Sequence, residues 1–255
     1  MLRKRVIPCL LLKDAGLVKT TRFKAPKYVG DPINAIKIFN DKEVDELMVL
    51  DITASREGRQ PNHALIEKFA SECFMPLCYG GGVHTVEQAR QLFALGVEKI
   101  CFQTGALEDL SLITRVAERF GNQSVVVSAD IRKNWLGRRT LYSACGQRLP
   151  PNSWIDFLKN AVAAGAGEIV VNAVERDGTM HGMDLELIQQ ASGALSVPLI
   201  AMGGVGSLAD IRAGIDAGAS AVAAGSFFVF HGPHRAVLVT YPHYRELEQL
   251  LSTAS

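Results

Sequence analysis

The chain has 255 residues, of which 48% are hydrophobic and 21% are charged, a balance that excludes a disordered or fibrous protein. Lysine and arginine number 27 against 26 aspartate and glutamate, so the net charge of +1 supplies no basic field for nucleic acid or an acidic membrane. Small anionic ligands stay compatible with this charge, because backbone N–H groups and helix N-termini bind phosphate without it.

Eight short apolar runs, rich in valine, isoleucine and leucine, predict the strands of the chain. Each run is followed by a turn and then by an amphipathic segment with helical spacing. Hydrophobicity that is continuous along a run, rather than alternating, is typical of parallel strands covered by helices. In chain order, the predicted strands are 5–11, 46–52, 75–80, 98–103, 124–130, 167–172, 197–202 and 220–224.

The first apolar run, 6–12, follows basic residues and imitates a signal peptide. It is short and is followed at once by Lys13 and Asp14, so it predicts a first buried strand. No stretch approaches the roughly 18 apolar residues of a membrane-spanning helix, and we expect no membrane partner. The five cysteines are odd in number and lack metal-ligand spacing. We therefore predict reduced thiols in a cytoplasmic protein with neither metal nor cofactor.

An internal repeat decides the architecture. The segment 75–106 aligns without a gap onto 197–228 and superposes Gly82 on Gly204 and Thr104 on Ser226. A unit of four strands and helices that occurs twice closes naturally into one barrel, because a closed sheet leaves no exposed edge. The sequence therefore predicts an α/β fold, a single (β/α)₈ TIM barrel over residues 1–255 built from two half-barrel repeats, rather than two domains.

Four glycine-rich turns follow predicted strands, at 80–82, 176–179, 203–206 and 224–226. In such barrels, chemistry lies on the loops at the C-terminal ends of the strands. Glycine lets backbone amides approach a phosphate, and a following helix N-terminus adds its positive end. A single such glycine is as readily explained by a tight turn. The symmetry of the four predicts two phosphate sites on opposite sides of the mouth and a substrate with a phosphate at each end.

Two carboxylates end predicted strands. We expect Asp130 to be a general acid or base and Asp51 to hold its neighbouring loop. Aligning the first strand with the fifth brings Leu11 opposite Asp130. If the two halves once carried matching carboxylates, this chain has lost one of them. Leucine neither donates nor accepts a proton, so a mechanism that needs both acids is disabled.

Two positive and two negative residues begin predicted strands at the opposite end of the barrel: Arg5, Glu46, Lys99 and Glu168. Ordinary surface salt bridges are the simplest interpretation and contribute little. Their positions on strands one, two, four and six instead predict a ring around the barrel axis at its floor. A charged ring at that place is suited to gating a narrow passage through the core.

These motifs together resemble the cyclase subunit of imidazole glycerol phosphate synthase, from about residue 1 to about residue 250. The segments that carry the resemblance are KRVIPCLLLKD, LVK, ELMVLDITAS, PLCYGGGVHT, NQSVVVSAD, RDGT and MGGVGS. The resemblance implies a glutaminase subunit docked at the N-terminal face, ammonia passing along the barrel axis through the four charges, and a ribonucleotide substrate with two phosphates. It also implies that Asp130 is catalytic and that Lys19 is a loop residue near the substrate. The implied phosphate binders are Gly82, Gln103, Thr104, Gly178, Gly204, Gly225 and Ser226.

The chain departs from this family at two positions. Leu11 stands where the family carries a second catalytic aspartate, and Gln103 where it usually has asparagine. We favour a paralogue that relays ammonia to a separate sugar amidotransferase, which makes an acetamidino sugar for bacterial surface polysaccharide such as lipopolysaccharide. The alternative is a genuine cyclase of histidine biosynthesis in which another carboxylate, such as Asp14, compensates. A related ribonucleotide isomerase shares the repeat, but the charged ring and Leu11 both argue against it.

Overall fold

The computed structural model describes residues 4–147, 149, 153–232 and 234–252. The strands are β1 (Arg5–Lys13), β2 (Gly16–Thr21), β3 (Lys24–Gly30), β4 (Leu47–Asp51), β5 (Leu77–Gly80), β6 (Lys99–Phe102), β7 (Val125–Lys133), β8 (Arg139–Tyr142), β9 (Glu168–Ala173), β10 (Leu199–Met202), β11 (Ala221–Ala224), β12 (Phe230–His231) and β13 (Ala236–Val237). The helices are α1 (Pro32–Asp41), α2 (His63–Glu72), α3 (Val86–Ala94), α4 (Thr104–Glu108), α5 (Leu110–Phe120), α6 (Trp154–Ala163), α7 (Leu185–Ala194), α8 (Leu208–Asp216), α9 (Ser226–Val229) and α10 (Tyr244–Leu251).

Within the described residues, eight parallel strands form a closed barrel in the order β1, β4, β5, β6, β7, β9, β10 and β11. The last strand pairs with the first, with Arg5 opposite Ala221 and Pro8 opposite Ala224. Helices connect successive barrel strands and cover the outside of the sheet. The predicted (β/α)₈ barrel is confirmed, and its strands are continuous apolar runs because both faces of the sheet are buried.

The two halves of the barrel repeat each other in local detail. The side chain of Thr85 caps α3 by accepting from the Gln88 backbone N–H, and Ser207 caps α8 by accepting from that of Asp210. The short helices α4 and α9 follow equivalent strands and begin at Thr104 and Ser226. A helix cap satisfies backbone donors that have no partner within the helix. The same solution at both places preserves the symmetry predicted from the sequence.

The interior of the barrel is an apolar core of its own. Its buried side chains are Ile7, Cys9, Met48, Cys78, Cys101, Val126, Val170, Ile200, Ala221 and Ala223. Leu11, Leu50 and Met202 are partly buried and pack against this core. A second, larger core fills the space between the sheet and the helices. The barrel interior is therefore packed with side chains, as in other barrels of this size.

Two strands are longer than predicted, because each continues beyond the barrel into a hairpin. β1 runs on to Lys13 and pairs with β2, which pairs in turn with β3. β7 runs on to Lys133 and pairs with β8. The predicted ends at Leu11 and Asp130 were wrong for this reason. In the described part of the chain, no helix is both long and apolar enough to cross a membrane.

Candidate functional site

Two clefts open at the C-terminal ends of the barrel strands. The larger cleft has a volume of about 1260 Å³ and the smaller one about 430 Å³. Leu11, Thr20, Asp177 and Met202 line both clefts, so the two meet over the centre of the mouth. An elongated ligand that spans both clefts fits this arrangement.

The larger cleft contains three of the predicted phosphate binders, Gly82, Gln103 and Thr104. The N–H of Gly82 donates to Ser55 Oγ at 3.1 Å, and Gly82 has a φ of 73°, which favours glycine. Gln103 precedes the first residue of α4, and its Oε1 accepts from Thr104 Oγ1 at 3.1 Å. Its Nε2 donates to the backbone oxygen of Tyr142 at 3.3 Å. The Gln103 side chain thus links the cleft to the hairpin of β7 and β8.

The smaller cleft contains the other four predicted binders, which are Gly178, Gly204, Gly225 and Ser226. Gly178 has a φ of 68°, and a Cβ there would lie 2.0 Å from the backbone oxygen of Thr20. A side chain is therefore excluded by backbone contact. Gly82 and Thr104 thus lie in one cleft, and Gly204 and Ser226 lie in the other, which is the division that the repeat predicts. Phosphate binding by these residues stays a prediction.

Asp130 lies on β7 and lines the larger cleft. Its two carboxylate oxygens accept from side-chain amides, Oδ2 from Gln103 Nε2 at 3.3 Å and Oδ1 from Asn172 Nδ2 at 3.4 Å. Burial raises the pKa of Asp130 to about 7. The negative charge of Asp177 also raises this pKa, whereas the hydrogen bond from Asn172 lowers it. A carboxyl that titrates near neutral pH is suited to accept and return a proton.

Asp177 is a candidate acid that the sequence reasoning assigned only to a glycine-rich turn. Burial raises its pKa to about 6, whereas the positive charge of Lys19 and a hydrogen bond from Thr20 lower it. The Thr20 Oγ1 donates to Asp177 Oδ2 at 3.3 Å. Asp177 follows the end of β9 by a few residues, so the position of an acid after a barrel strand was the available signal.

Lys19 lies on strand β2 and not in a loop, which corrects the expectation for this residue. Its Nζ donates to the backbone oxygen of Cys9 at 2.5 Å, and its side chain is buried. Burial lowers the pKa of Lys19, while nearby Cys9 and Asp177 act in the opposite direction. Lys19 therefore places its amine beside the smaller cleft, within electrostatic range of Asp177.

Leu11 occupies the apolar upper end of the barrel interior. It is the register partner of Leu50 on the neighbouring strand, and both pack with Met202 against the core below. Asp14, the carboxylate proposed to compensate for Leu11, is exposed in the turn between β1 and β2.

Asp51 holds its own loop as expected, since its Oδ1 accepts from the backbone N–H groups of Thr53 and Ala54 at 2.9 Å.

The four charges at the floor of the barrel form a closed ring. Lys99 Nζ contacts Glu46 Oε2 and Glu168 Oε2, each at 2.9 Å, and Arg5 contacts Glu168 Oε1 at 2.6 Å as well as Glu46. Burial lowers the pKa of Lys99, but the charges of the two glutamates outweigh this and raise it. Among the described residues, Glu46 Oε1 is buried and has no hydrogen-bond partner. The ring predicted from the strand positions is therefore present.

A family model described as histidine biosynthesis protein matches residues 5–234. The chain belongs to this family. The match covers every barrel strand from β1 to β11.

Relatives in this family carry the name of a synthase subunit. Imidazole glycerol phosphate synthase subunit hisF2 of Pseudomonas aeruginosa is 55% identical over 252 residues, covering 97% of this chain and 99% of the relative. Subunit hisF3 of Vibrio vulnificus is 47% identical over 256 residues, covering 98% of this chain and 97% of the relative. Subunit HisF of Exiguobacterium sibiricum is 38% identical over 231 residues, covering 89% of this chain and 91% of the relative. Of these three, the numbered subunits are the more similar to this chain.

Proposed function

We propose that this chain is the barrel subunit of a glutamine amidotransferase complex that receives ammonia at its floor and relays it to a separate enzyme. The observation that carries the proposal is the combination of an intact charged ring with an apolar Leu11 at the mouth. A glutaminase subunit supplies the ammonia from the N-terminal face. The acceptor enzyme is a sugar amidotransferase that forms an acetamidino sugar for bacterial surface polysaccharide.

The ring supports a gating role because its contacts close the floor. Each of the four side chains contacts two ring members of opposite charge, so a passage opens only when a contact breaks. The buried Oε1 of Glu46 offers a hydrogen-bond acceptor to an arriving N–H group. Above the ring, the interior presents thiols, methyls and aliphatic side chains. Neutral ammonia crosses such a core at lower cost than the ammonium ion.

The mouth supports relay in preference to cyclisation. Leu11, Leu50 and Met202 together present an apolar surface to the clefts. Removing a positioned general acid or base typically slows a reaction by about 10²- to 10⁴-fold. The greater identity to the numbered subunits hisF2 and hisF3 than to the Exiguobacterium subunit is in line with a paralogue.

An isotope competition tests the relay. The chain, its glutaminase and the acceptor enzyme are supplied with glutamine labelled with ¹⁵N in the amide and with an excess of unlabelled ammonium. We expect the acetamidino sugar to keep most of the label, because relayed ammonia does not mix with the solvent. A product labelled only in proportion to the bulk ammonium contradicts the relay.

A second candidate is a genuine cyclase that makes imidazole glycerol phosphate and an aminoimidazole ribonucleotide from a substrate with two phosphates. The raised pKa values of Asp130 and Asp177 favour it, since two carboxyls that line one cleft provide an acid and a base. Turnover of the phosphoribulosyl substrate with ammonium at high pH, lost in Asp177→Asn, would establish this candidate. If the chain is a relay subunit, we expect the wild type not to turn over this substrate. Cyclase turnover that appears in Leu11→Asp would instead identify the chain as a cyclase inactivated at one position.

A further inference from the structure

The tip of the hairpin formed by β7 and β8 carries an unusual apolar surface. Trp135 is 90% exposed and the adjacent Leu136 is 56% exposed, although both are large hydrophobic side chains. The hairpin rises from the C-terminal end of the barrel, and Asp130 lies on its first strand. A strand rises about 3.3 Å per residue, so Trp135 lies within about 17 Å of Asp130.

This tip is an ordered turn. The Oδ1 of Asn134 accepts from the backbone N–H groups of Leu136 and Arg138, both at 3.0 Å. The N–H of Asn134 donates to the backbone oxygen of Arg138 at 2.9 Å, and Gly137 has a φ of 75° that favours glycine. Trp135 is therefore presented by a fixed backbone, and little entropy is lost when a partner binds it.

The base of the hairpin is anchored to the barrel. Arg139 binds Asp184 and Glu186, both at 2.8 Å. The backbone N–H of Lys133 donates to Glu175 Oε1 at 3.1 Å. The hairpin is thus held at the rim of the mouth, beside the loop that follows β9 and the start of α7, through contacts of both of its strands.

The hairpin also concentrates positive charge. Residues 131–139 contain Arg132, Lys133, Arg138 and Arg139 and no acidic residue, whereas the whole chain has a net charge of +1. Arg132 and Arg138 are exposed and, within the described residues, make no ion pair. Arg132 lies over the ring of Tyr142 at 4.9 Å. The apolar tip is therefore flanked by two cations that are available to carboxylates of a partner.

We propose that the tip, residues 134–138, is the docking site for the acceptor enzyme, which binds it through an apolar pocket rimmed by acidic residues. This inference rests on the relay function proposed above. Tryptophan and arginine are enriched among the residues that dominate binding energy at protein interfaces. Docking here brings the acceptor enzyme over the mouth, and the N-terminal face stays free for the glutaminase.

The test measures the affinities of the purified acceptor enzyme and of the purified glutaminase for variants of the chain. Trp135→Ala and Arg138→Glu are expected to weaken binding of the acceptor enzyme at least tenfold and to leave glutaminase binding unchanged. Arg138→Lys keeps the charge and is expected to retain most of the affinity. Phe74→Ala is the matched control for acceptor binding, which it is expected to leave unchanged, since Phe74 is 87% exposed and precedes β5 at the opposite end of the barrel.

Several results would overturn the docking site. Acceptor affinity that is unchanged in Trp135→Ala contradicts it directly. Self-association, or binding to anionic lipid vesicles, that is lost in Trp135→Ala would assign the tip to a second copy of the chain or to a membrane instead. If the acceptor enzyme still binds through the tip while the isotope label is diluted, the relay fails and the docking site stands. If the label is kept in Trp135→Ala, the docking site fails and the relay stands.

Discussion

Leu11 and Leu50 are register partners on adjacent barrel strands, and both pack on the apolar interior at the end where the clefts open. With Met202 they pack against an interior that contains three buried thiols. Cys9 lines the smaller cleft and Cys101 the larger one, whereas Cys78 lines neither. The residue that removes a candidate acid therefore also covers the barrel interior. An apolar layer at this place keeps water and charged solutes from entering the core.

The buried thiols make this covering measurable. We expect Leu11→Ala to increase the rate at which a small methanethiosulfonate reagent modifies Cys78, which lines neither cleft, measured by mass spectrometry of the intact chain and its peptides. Leu185→Ala on the outer helix α7, where Leu185 is 39% exposed, is the control and is expected to leave the rate unchanged. Equal rates in both variants would contradict a sealing role for Leu11.

The carboxyl of Asp130 is expected to make stability depend on pH. Its pKa of about 7 lies above the value of about 3.9 in an unfolded chain, so its stabilising contribution is complete below about pH 4. That contribution is lost as the pH rises through 7. The free energy of unfolding, measured with urea, should therefore fall less between pH 4 and pH 8 in Asp130→Asn than in the wild type.

The variant Asp177→Asn tests the titration of the Asp130 carboxyl in a second way. Asp177→Asn removes a negative charge that raises the pKa of Asp130, so that pKa is expected to fall. Infrared spectroscopy of the protonated carboxyl band follows the titration directly, with Asp130→Asn identifying the band. A titration that is the same in Asp177→Asn and in the wild type would show that the two groups do not interact.

We expect the ring at the floor to contribute more to the free energy of unfolding than an exposed ion pair does. Lys99→Met leaves Glu46, which is 1% exposed, with a single cationic partner and should lower the free energy of unfolding by about 3 kcal/mol. Lys37→Met breaks an exposed pair with Glu72 at 3.5 Å and should cost less than about 1 kcal/mol. Urea unfolding of both variants checks the difference, and equal losses would contradict it.

The N-terminal face is expected to bind the glutaminase through Phe74. This ring lies between α2 and β5 and is 87% exposed, and its backbone N–H donates to Asn40 Oδ1 at 3.1 Å. We expect Phe74→Ala to weaken glutaminase binding about tenfold in calorimetric titrations. Trp135→Ala is the control at the opposite end. An unchanged affinity in Phe74→Ala would move the interface elsewhere on this face.

Gly178 tests whether backbone geometry sets the smaller cleft. Gly178→Ala places a Cβ 2.0 Å from the backbone oxygen of Thr20 at a φ of 68°, and we expect it to destabilise the fold by about 2 kcal/mol or more. Gly193→Ala in helix α7 has open space and an ordinary φ, so it should stabilise by about 0.5–1 kcal/mol. Thermal unfolding of the two variants should therefore shift in opposite directions.

The barrel and its floor could be predicted because they depend on buried strands. Continuous apolar runs mark each strand, and the polar residue that begins a strand must lie at the floor. Arg5 and Glu168 were brought together by this reasoning although they are far apart in the chain, and the structure joins them at 2.6 Å. The division of the glycine-rich turns between two clefts followed in the same way from the repeat.

The hairpins and the electrostatic effect of Asp177 on Asp130 could not be predicted. β3 is exposed along most of its length, so it lacks the apolar run that reveals a barrel strand. Asp177 lies in a turn after β9, and its proximity to Lys19 depends on how the hairpin of β2 and β3 folds back over the mouth. Contacts between separate loops follow from tertiary packing and leave no periodic signal in the sequence.

The chain contains two tryptophans in opposite environments, Trp135 exposed at the hairpin tip and Trp154 buried at the start of α6. The intrinsic fluorescence of these two tryptophans therefore reports on two different parts of the protein. Emission from Trp135 begins at the long wavelengths of a hydrated indole and should move to shorter wavelengths when a partner covers the tip. Emission from Trp154 should change only on unfolding, so one spectrum distinguishes docking at the mouth from loss of the fold.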